Sequence, residues 1–250
     1  MTITDITYRK EYEEALKRSK TELEYSNIEL QEFTYVASHD LQEPLRKVVT
    51  FAERLKDQTG SADELAKDYC EKISVACQRM KRVIEDLLNF LRIDAREIAF
   101  EETDLNRIVQ DVVSDLELKI TETRTKIEVK KLPAIYANKS LIRHVFQNLI
   151  SNSIKFSKKS EPPHIFIDSD CRDNWIEIRL KDNGIGFDEK YLDRIFKPFQ
   201  RLHAKHEYEG TGIGLFICHK IVTQHSGTLT AQSKPGEGAT FIVRLPKQSA

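Results

Sequence analysis

The sequence predicts an α+β protein: a helical hairpin that dimerises into a four-helix bundle, preceded by a coiled coil and followed by an α/β sandwich. Two observations support this fold class. Nearly every hydrophobic pattern before residue 98 has helical spacing, whereas helical and strand patterns alternate after it. The 250 residues fit one or two domains, and 40% hydrophobic residues are enough for a sizeable core. We therefore expect three segments, residues 1–30, 31–98 and 99–250.

A heptad repeat occupies residues 8–37. Its first row consists of Leu16, Leu23, Leu30 and Ala37, and its second row of Tyr12, Ser19, Ser26 and Phe33. This a/d pattern predicts a parallel coiled coil, and with it a homodimer. The two serines weaken the apolar seam. That leaves two interpretations: a coiled coil that shifts register to pass a signal, or a permanent one that tolerates both serines.

The apolar pattern over residues 31–98 predicts the helical hairpin. Pro44 should bend its first helix. The apolar stripe that follows consists of Leu45, Val48, Phe51, Ala52 and Leu55. A short turn is predicted over 57–61, and a second stripe runs from Leu65 to Phe90. The short loop makes the two helices antiparallel neighbours, and hairpins from two chains form the four-helix bundle.

Residues 99–250 alternate between helices and strands. Asp104 is placed to cap a helix from Leu105 to Leu116. Further helices are predicted over 141–156 and 213–225, and strands over 127–129, 164–168, 175–181, 228–233 and 239–245. The stretch 182–212 is rich in loops. Helices grouped on one face of such a sheet form an α/β sandwich.

The helix over 141–156 carries a candidate binding face. Asn148, Asn152 and Lys155 stand at i, i+4 and i+7, so their side chains share one face. An amide oxygen suits Mg²⁺, and a lysine one turn further on can meet the charge of a triphosphate. A merely solvated helix face is the alternative, and it would be favoured without the glycine-rich turns downstream.

Two glycine-rich turns follow this helix. Asp182 precedes Gly184 and Gly186, and its carboxylate can accept a hydrogen bond from an exocyclic amine such as adenine N6. The glycines let the backbone approach a base closely. The second turn opens a helix whose free N–H groups and dipole favour phosphate, and its glycines are Gly210, Gly212 and Gly214. Neither turn has the spacing of a Walker or Rossmann motif.

His39 lies upstream, two positions after Ala37 of the heptad, and should therefore face solvent. With the segment from Ser38 to Pro44 and the three segments above, the chain resembles the catalytic core of a sensor histidine kinase, in its phytochrome-like branch. Such a core joins a dimerisation and phosphoacceptor domain to the Bergerat ATP-binding fold of gyrase, Hsp90 and MutL. The resemblance implies ATP-dependent autophosphorylation of His39, then transfer to an aspartate of a response regulator receiver domain.

The resemblance also implies a role for each motif, with ATP and Mg²⁺ as cofactors. His39 matches the phosphoacceptor. The N box is matched by Asn148, Asn152 and Lys155, with Asn152 as the expected Mg²⁺ ligand; the G1 box by Asp182, Gly184 and Gly186; the F box by Phe196 and Phe199, followed by a phosphate-directed Arg201; and the G2 box by Gly210, Gly212 and Gly214. Residues 187–210 would form the ATP lid.

The carboxylate that orients His39 has two candidates. The family pattern assigns this role to Asp40, whereas helix geometry prefers Glu43 at i+4. Glu43 also departs from the family pattern, since many relatives carry Thr or Asn there, and this puts phosphatase activity in doubt.

Asn148 stands where the water-activating ATPases of the superfamily place a glutamate base. An amide cannot abstract a proton, so ATP hydrolysis should be slow.

The remaining expectations concern context. Residues 3–16 are similar to the end of a PAS sensor domain, so we expect an upstream sensor domain in the same chain. The net charge of −1 gives no reason to expect nucleic acid. Apolar runs are too short for a membrane span, and the cysteines lack CxxC spacing, which favours the cytoplasm. The alternatives are an inactive kinase-like dimeric scaffold, a Bergerat-fold ATPase clamp and an anti-sigma-type serine kinase.

Overall fold

The computed structural model describes Lys20 and residues 41–42, 44–55, 63–93, 99–172, 174–202, 208 and 211–247. The chain divides into two compact units between Glu85 and Asp86. Lys20 is helical, but the rest of the predicted coiled coil and the turn over 57–61 lie outside the described residues. None of the described helices is both long enough and apolar enough to cross a membrane.

The first unit contains one of the two predicted hairpin helices and most of the other. Helix α1 covers residues 44–55, and α2 runs from Asp63–Ile93, past the division between the units. The rings of Phe51 and Tyr69 stack with centroids 5.8 Å apart, which joins α1 to α2. Large apolar side chains on both helices remain about half exposed in the single chain, namely Leu45, Val49, Val75 and Ile84. Such uncovered apolar side chains are what the predicted bundle of two hairpins would bury.

A five-stranded sheet forms the centre of the second unit. Its order is β2-β4-β5-β7-β6, with β2 parallel to β4 and the other pairs antiparallel. The strands are β2 Lys126–Val129, β4 His164–Arg172, β5 Trp175–Asp182, β6 Thr228–Lys234 and β7 Gly238–Pro246. All five strands were predicted, with ends that differ by a few residues. A separate antiparallel pair, β1 Glu101–Asp104 with β3 Ala134–Ala137, was not predicted.

Helices cover one face of this sheet. They are α3 Leu105–Asp115, α4 Glu117–Thr123, α5 Lys139–Lys155, α6 Leu192–Ile195 after a 3-10 turn at Glu189–Tyr191, and α7 Gly214–Gln224. The predicted cap of α3 is confirmed, because the Asp104 carboxylate accepts from the Asn106 N–H at 2.8 Å. Helices α4 and α6 were not predicted. Both are short, so neither shows enough turns for an apolar period to emerge.

The core lies between α5 and the sheet. On β5, Ile176, Ile178 and Leu180 alternate with more exposed residues and point inward. Ile178 and Leu180 lie next to the apolar flank of α5, where Val145 and Leu149 are almost fully buried. This burial fixes the rotation of α5 about its axis. The opposite flank, which carries Asn148, Asn152 and Lys155, therefore turns away from the sheet.

Helices α5 and α7 run antiparallel, and a histidine joins the N-terminal end of α5 to the C-terminal end of α7. The Asn138 N–H, at the N-cap of α5, donates to Nε2 of His225, the residue that ends α7, at 3.0 Å. The other ring nitrogen of His225, Nδ1, donates to the Ile221 carbonyl at 2.8 Å. The neutral ring therefore uses both nitrogens, and a proton on Nε2 would remove the acceptor for Asn138. Burial lowers the pKa of His225.

We expect His225→Ala to lower the unfolding free energy of the second unit by about 1–3 kcal/mol, because the part-buried Asn138 N–H loses its acceptor. The folded-state pKa lies below the ordinary value near 6.5. The contribution of His225 is therefore complete above about pH 6.5 and is lost as the pH falls toward the lowered pKa. Denaturation followed by fluorescence of Trp175, the one tryptophan in the sequence, measures both effects.

A second histidine provides the control for this pH dependence. Burial also lowers the pKa of His144, on α5, so His225→Ala should reduce the acid-side slope without abolishing it. The double variant with His144→Ala should remove more of the slope. A slope that is identical in the wild type and His225→Ala would show that this ring is not held neutral by the fold.

Candidate nucleotide site

The polar flank of α5 meets the glycine-rich start of α7. A Cβ added to Gly214, the first residue of α7, would lie 2.5 Å from Oδ1 of Asn148. The amide nitrogen of Asn148 donates to the His144 carbonyl at 3.1 Å, which holds the side chain in place. A side chain at position 214 would therefore have to displace the amide of Asn148. The predicted N box and G2 box thus lie against each other in one site.

The carboxylate of Asp182 is buried at the end of β5, with only 8% of the residue exposed. Its Oδ1 accepts from the N–H groups of Gly184 at 2.9 Å and Ala239 at 3.1 Å. Its Oδ2 accepts from the hydroxyl of Ser153, on α5, at 3.1 Å. Burial raises the pKa of Asp182, and the three hydrogen bonds oppose that rise. The result is a buried carboxylate that is anchored by three hydrogen bonds.

The G1 turn is held between α5 and the β6–β7 hairpin. The Ile185 N–H donates to the Phe156 carbonyl, which follows α5, at 2.9 Å. A Cβ on Gly184 would lie 2.6 Å from that same carbonyl oxygen. Gly186 has a positive φ of 60°, and a Cβ there would overlap the Lys234 carbonyl. Both glycines are therefore required by close packing of the backbone as well as by any approach of a base.

The F box and the G2 box are also joined. The Phe199 N–H donates to the Gly212 carbonyl at 3.0 Å, and both residues have positive φ. A Cβ on Gly212 would lie 3.1 Å from Cγ of Arg201, whose guanidinium donates to the Tyr208 carbonyl. This contact places the predicted phosphate-directed arginine beside the G2 segment. Phe196, the other F-box aromatic, packs against the ring of His219 on α7 at 5.8 Å.

A cationic and aromatic group lies at the C-terminal end of α5. The ammonium of Lys155 stands 4.3 Å from the ring centroid of Phe156, and the rings of Phe156 and Tyr208 are 4.9 Å apart. Asn152 is half-buried on the same helix flank as Lys155. Among the described residues, no three His, Cys, Asp or Glu side chains converge on a metal position. The amide oxygen of Asn152 is a suitable ligand for a magnesium ion whose other ligands are phosphate oxygens and water.

The start of α7 is suited to an anion. The helix has 11 residues, and Ile213 at its N-cap provides no side-chain hydrogen bond to the first turn. Thr211, two residues earlier, accepts from the Ile213 N–H at 3.3 Å, outside the helix itself. Ile213 therefore provides no side-chain cap for the first turn, and the positive end of the helix dipole lies at the start of α7, beside Asn148.

The structure thus brings together the described N, G1, F and G2 residues in the second unit. His39, Asp40, Glu43 and Gly210 lie outside the described residues, so their roles stay predictions. Sequence reasoning missed Ser153, which holds Asp182, and the hairpin residues around Ala239. Ser153 did offer a signal, because it is a polar residue at a position of α5 where the helical period predicts an apolar one.

Comparison with known families agrees with this geometry. Residues 29–96 match the family described as His Kinase A (phospho-acceptor) domain. Residues 137–249 match the family described as histidine kinase-, DNA gyrase B-, and HSP90-like ATPase. The first match contains His39, and the second contains all four nucleotide motifs. The order of the two families along the chain is the order that the motifs predicted.

Similar proteins point in the same direction. Phytochrome-like protein Cph1 of Synechocystis is 39% identical over 93% of this chain and 31% of its own length. Cyanobacterial phytochrome A of Nostoc is 41% identical over 90% of this chain and 29% of its own length. The chain thus spans about a third of the length of these relatives.

Among solved structures, histidine kinase ThkA in complex with response regulator protein TrrA has a TM-score of 0.70. That similarity covers 95% of this chain and 66% of that chain at 22% identity, so it concerns the fold. The fold, the four joined motifs and the two family matches lead to one conclusion. The chain belongs to the sensor histidine kinases and carries their catalytic core, a phospho-acceptor domain followed by an ATPase domain of the gyrase B and HSP90 type.

Proposed function

We propose that this chain transfers the γ-phosphoryl group of ATP to His39 and then to an aspartate of a response regulator. The observation that carries this proposal is the close approach of Asn148, on α5, to Gly214, the first residue of α7. It unites an amide-bearing helix face with an anion-binding helix terminus. The match of residues 29–96 to a phospho-acceptor family supplies the receiving group.

Asp182 would recognise the adenine base. Its carboxylate is buried and held by Gly184, Ala239 and Ser153, yet a carboxylate has about four lone-pair positions, so it can accept one more hydrogen bond. Adenine presents an exocyclic amine as donor, whereas guanine presents a carbonyl oxygen at that position. Two acceptors facing each other in a buried pocket are unfavourable. The site should therefore prefer ATP to GTP.

The triphosphate would lie between α5 and α7. Mg²⁺ held by Asn152 would neutralise charge on the phosphate oxygens, and this is the chemistry that the ion supplies. Lys155 and Arg201 add positive charge near the start of α7, whose N–H groups can bind phosphate. Asn148 occupies the place of a glutamate base, and its amide cannot activate water. The γ-phosphoryl group would therefore be preserved for transfer instead of hydrolysis.

The acceptor step would use the neutral imidazole of His39. Its Nε2 attacks the γ-phosphorus, the N–P bond forms, and the bond to the bridging oxygen of ADP breaks. A carboxylate that accepts from Nδ1–H would set the tautomer and stabilise the positive ring. The family pattern supports Asp40 for this role, and the i+4 spacing supports Glu43.

We further propose a homodimer, because the first unit leaves apolar side chains of α1 and α2 uncovered and matches a phospho-acceptor domain. The complex of ThkA with TrrA supports a receiver domain as the partner.

An upstream sensor domain is supported by the length of the phytochrome relatives, of which this chain covers about a third. We propose residues 1–30 as the connecting segment, 31–98 as the phosphotransfer domain, 99–250 as the ATP-binding domain, and the cytoplasm as the location.

Incubation with γ-labelled ATP and Mg²⁺ should label the wild-type chain and should leave His39→Ala unlabelled, because the attacking nitrogen is gone. The label should be labile in acid and stable in alkali, as expected of a phosphoramidate. Mass spectrometry of the labelled chain identifies the modified residue. Phosphate found only on another residue would overturn the assignment of His39 as acceptor. Steady ATP hydrolysis that persists in His39→Ala would favour an ATPase clamp. No label in the wild type would indicate an inactive scaffold.

Matched variants distinguish between Asp40 and Glu43 as the carboxylate that orients His39. We expect Asp40→Asn to lower the autophosphorylation rate by about 10²-fold or more and Glu43→Gln to lower it only slightly. Each substitution removes one charge and preserves the shape of the side chain. Single-turnover rates at saturating MgATP measure the effect on phosphoryl transfer itself. A large loss of rate confined to Glu43→Gln would show that Glu43, and not Asp40, orients His39.

The pH dependence of ATP binding should depend on Ser153. The ionised carboxylate of Asp182 is a stronger acceptor for the adenine amine than the protonated carboxyl group. Burial raises the pKa of Asp182, so affinity should fall as the pH drops through that pKa. Ser153→Ala removes one donor and raises the pKa further, so this loss should begin at a higher pH.

Calorimetric titration with MgATP between pH 5 and 8 measures this effect. At pH 7 we expect weakening of roughly 5- to 30-fold, from the loss of one hydrogen bond to a charged group. Ser151→Ala, two residues away on the same helix, is the control and should leave the profile unchanged. Identical profiles for the wild type and Ser153→Ala would show that the hydroxyl does not tune Asp182.

A further inference from the structure

We propose that Ser233, on β6, is a positioning residue for the nucleotide, because its hydroxyl holds the chain where the G1 turn leads into the predicted ATP lid. This inference rests on the proposed function, in which that turn binds adenine. None of the four kinase motifs contains Ser233, and it lies 46 positions beyond Phe187, the residue that it holds.

The hydroxyl of Ser233 has two partners. It accepts from the Phe187 N–H at 2.8 Å and donates to the Gly238 carbonyl at 2.8 Å. The first partner directly follows Gly186 of the G1 box, and the second begins β7. The side chain thus bridges the base-binding turn and the hairpin, and both its donor and an acceptor position are used.

In a second hydrogen bond to the same segment, Ser233 is the donor. The backbone N–H of Ser233 donates to Oε1 of Glu189 at 3.2 Å, and Glu189 begins the short 3-10 turn before α6. Ser233 therefore contacts the chain at two places, Phe187 and Glu189, on either side of Asp188. These contacts fix the direction in which the chain leaves the G1 turn.

The rest of the hairpin holds the same turn through its backbone. The Gly236 N–H donates to the Ile185 carbonyl at 2.7 Å, and the Ala239 N–H donates to Asp182 at 3.1 Å. These contacts survive most side-chain substitutions. On the hairpin side, the hydroxyl of Ser233 is the side-chain group in these contacts, whereas Glu189 and Asp182 contribute carboxylates from the other side. A point substitution of Ser233 can therefore remove one contact without changing Asp182.

The positive φ of Gly186 makes this tie important. A glycine in the left-handed region has neighbouring conformations of similar energy, so the backbone after it is not fixed by local preference. Tertiary contacts must choose the direction, and the bond from Phe187 to Ser233 is the first contact after the glycine. Its loss should loosen the G1 turn and the base of the predicted lid while leaving the acceptor histidine unchanged.

The test compares Ser233→Ala with Ser233→Thr and with Gln232→Ala. Threonine keeps the hydroxyl and suits a strand, whereas Gln232 is an exposed neighbour on the opposite face of β6. In Ser233→Ala, we expect half-saturation of autophosphorylation to require roughly 5- to 10-fold more ATP, with the maximal rate almost unchanged. Ser233→Thr should restore the wild-type value, and Gln232→Ala should match it.

Amide hydrogen exchange provides a readout that needs no nucleotide. The Phe187 amide should exchange faster in Ser233→Ala than in the wild type and should be protected again in Ser233→Thr. Wild-type ATP saturation in Ser233→Ala, or a fall in maximal rate and melting temperature without a change in ATP saturation, would overturn the inference. A wild-type chain that does not bind MgATP would overturn the proposed function as well, so the two failures are distinct.

Discussion

The nucleotide site depends on the burial of one carboxylate, that of Asp182. A buried carboxylate without partners would be strongly unfavourable, so its three donors are a condition of the fold. They come from different elements: Gly184 from the turn itself, Ala239 from β7 and Ser153 from α5. Helix, sheet and turn must all be in register before the charge is satisfied. The group that would recognise adenine therefore also locks together the elements around it.

Close backbone packing is the second constraint, and it explains where the glycines stand. Gly214 allows Asn148 to reach the start of α7, and Gly238 lies so close to Asp182 that a Cβ would overlap its carbonyl. Gly186 packs in the same manner against Lys234. The glycines of the motifs thus serve the assembly of the site before any ligand arrives. The β6–β7 hairpin, which lies outside the motifs, shapes the G1 turn as much as the motif residues do.

The main elements of the second unit could be predicted because their signals are local. The Asp104 cap and the spacing of Asn148, Asn152 and Lys155 depend on helix geometry alone, and the structure contains the predicted helix in both places. The strands β1 and β3 escaped prediction because Glu101, Glu102 and Asp104 are poor strand formers. Strand β1 pairs with Ala134–Ala137, at least 30 residues further along the chain, so the pairing depends on tertiary contact and not on local propensity.

The sequence by itself determined the order of the two domains, the helix face that carries the amides, and the residue types that could meet a base, a metal and a phosphate. These features follow from the helical period and from side-chain chemistry, which act within a few residues. The tertiary structure alone decided that Ser153 holds Asp182, that His225 ties the ends of α5 and α7, and that Ser233 holds Phe187. Such contacts join residues 29 to 87 positions apart, and their existence depends on sheet register and helix packing, which no local pattern encodes.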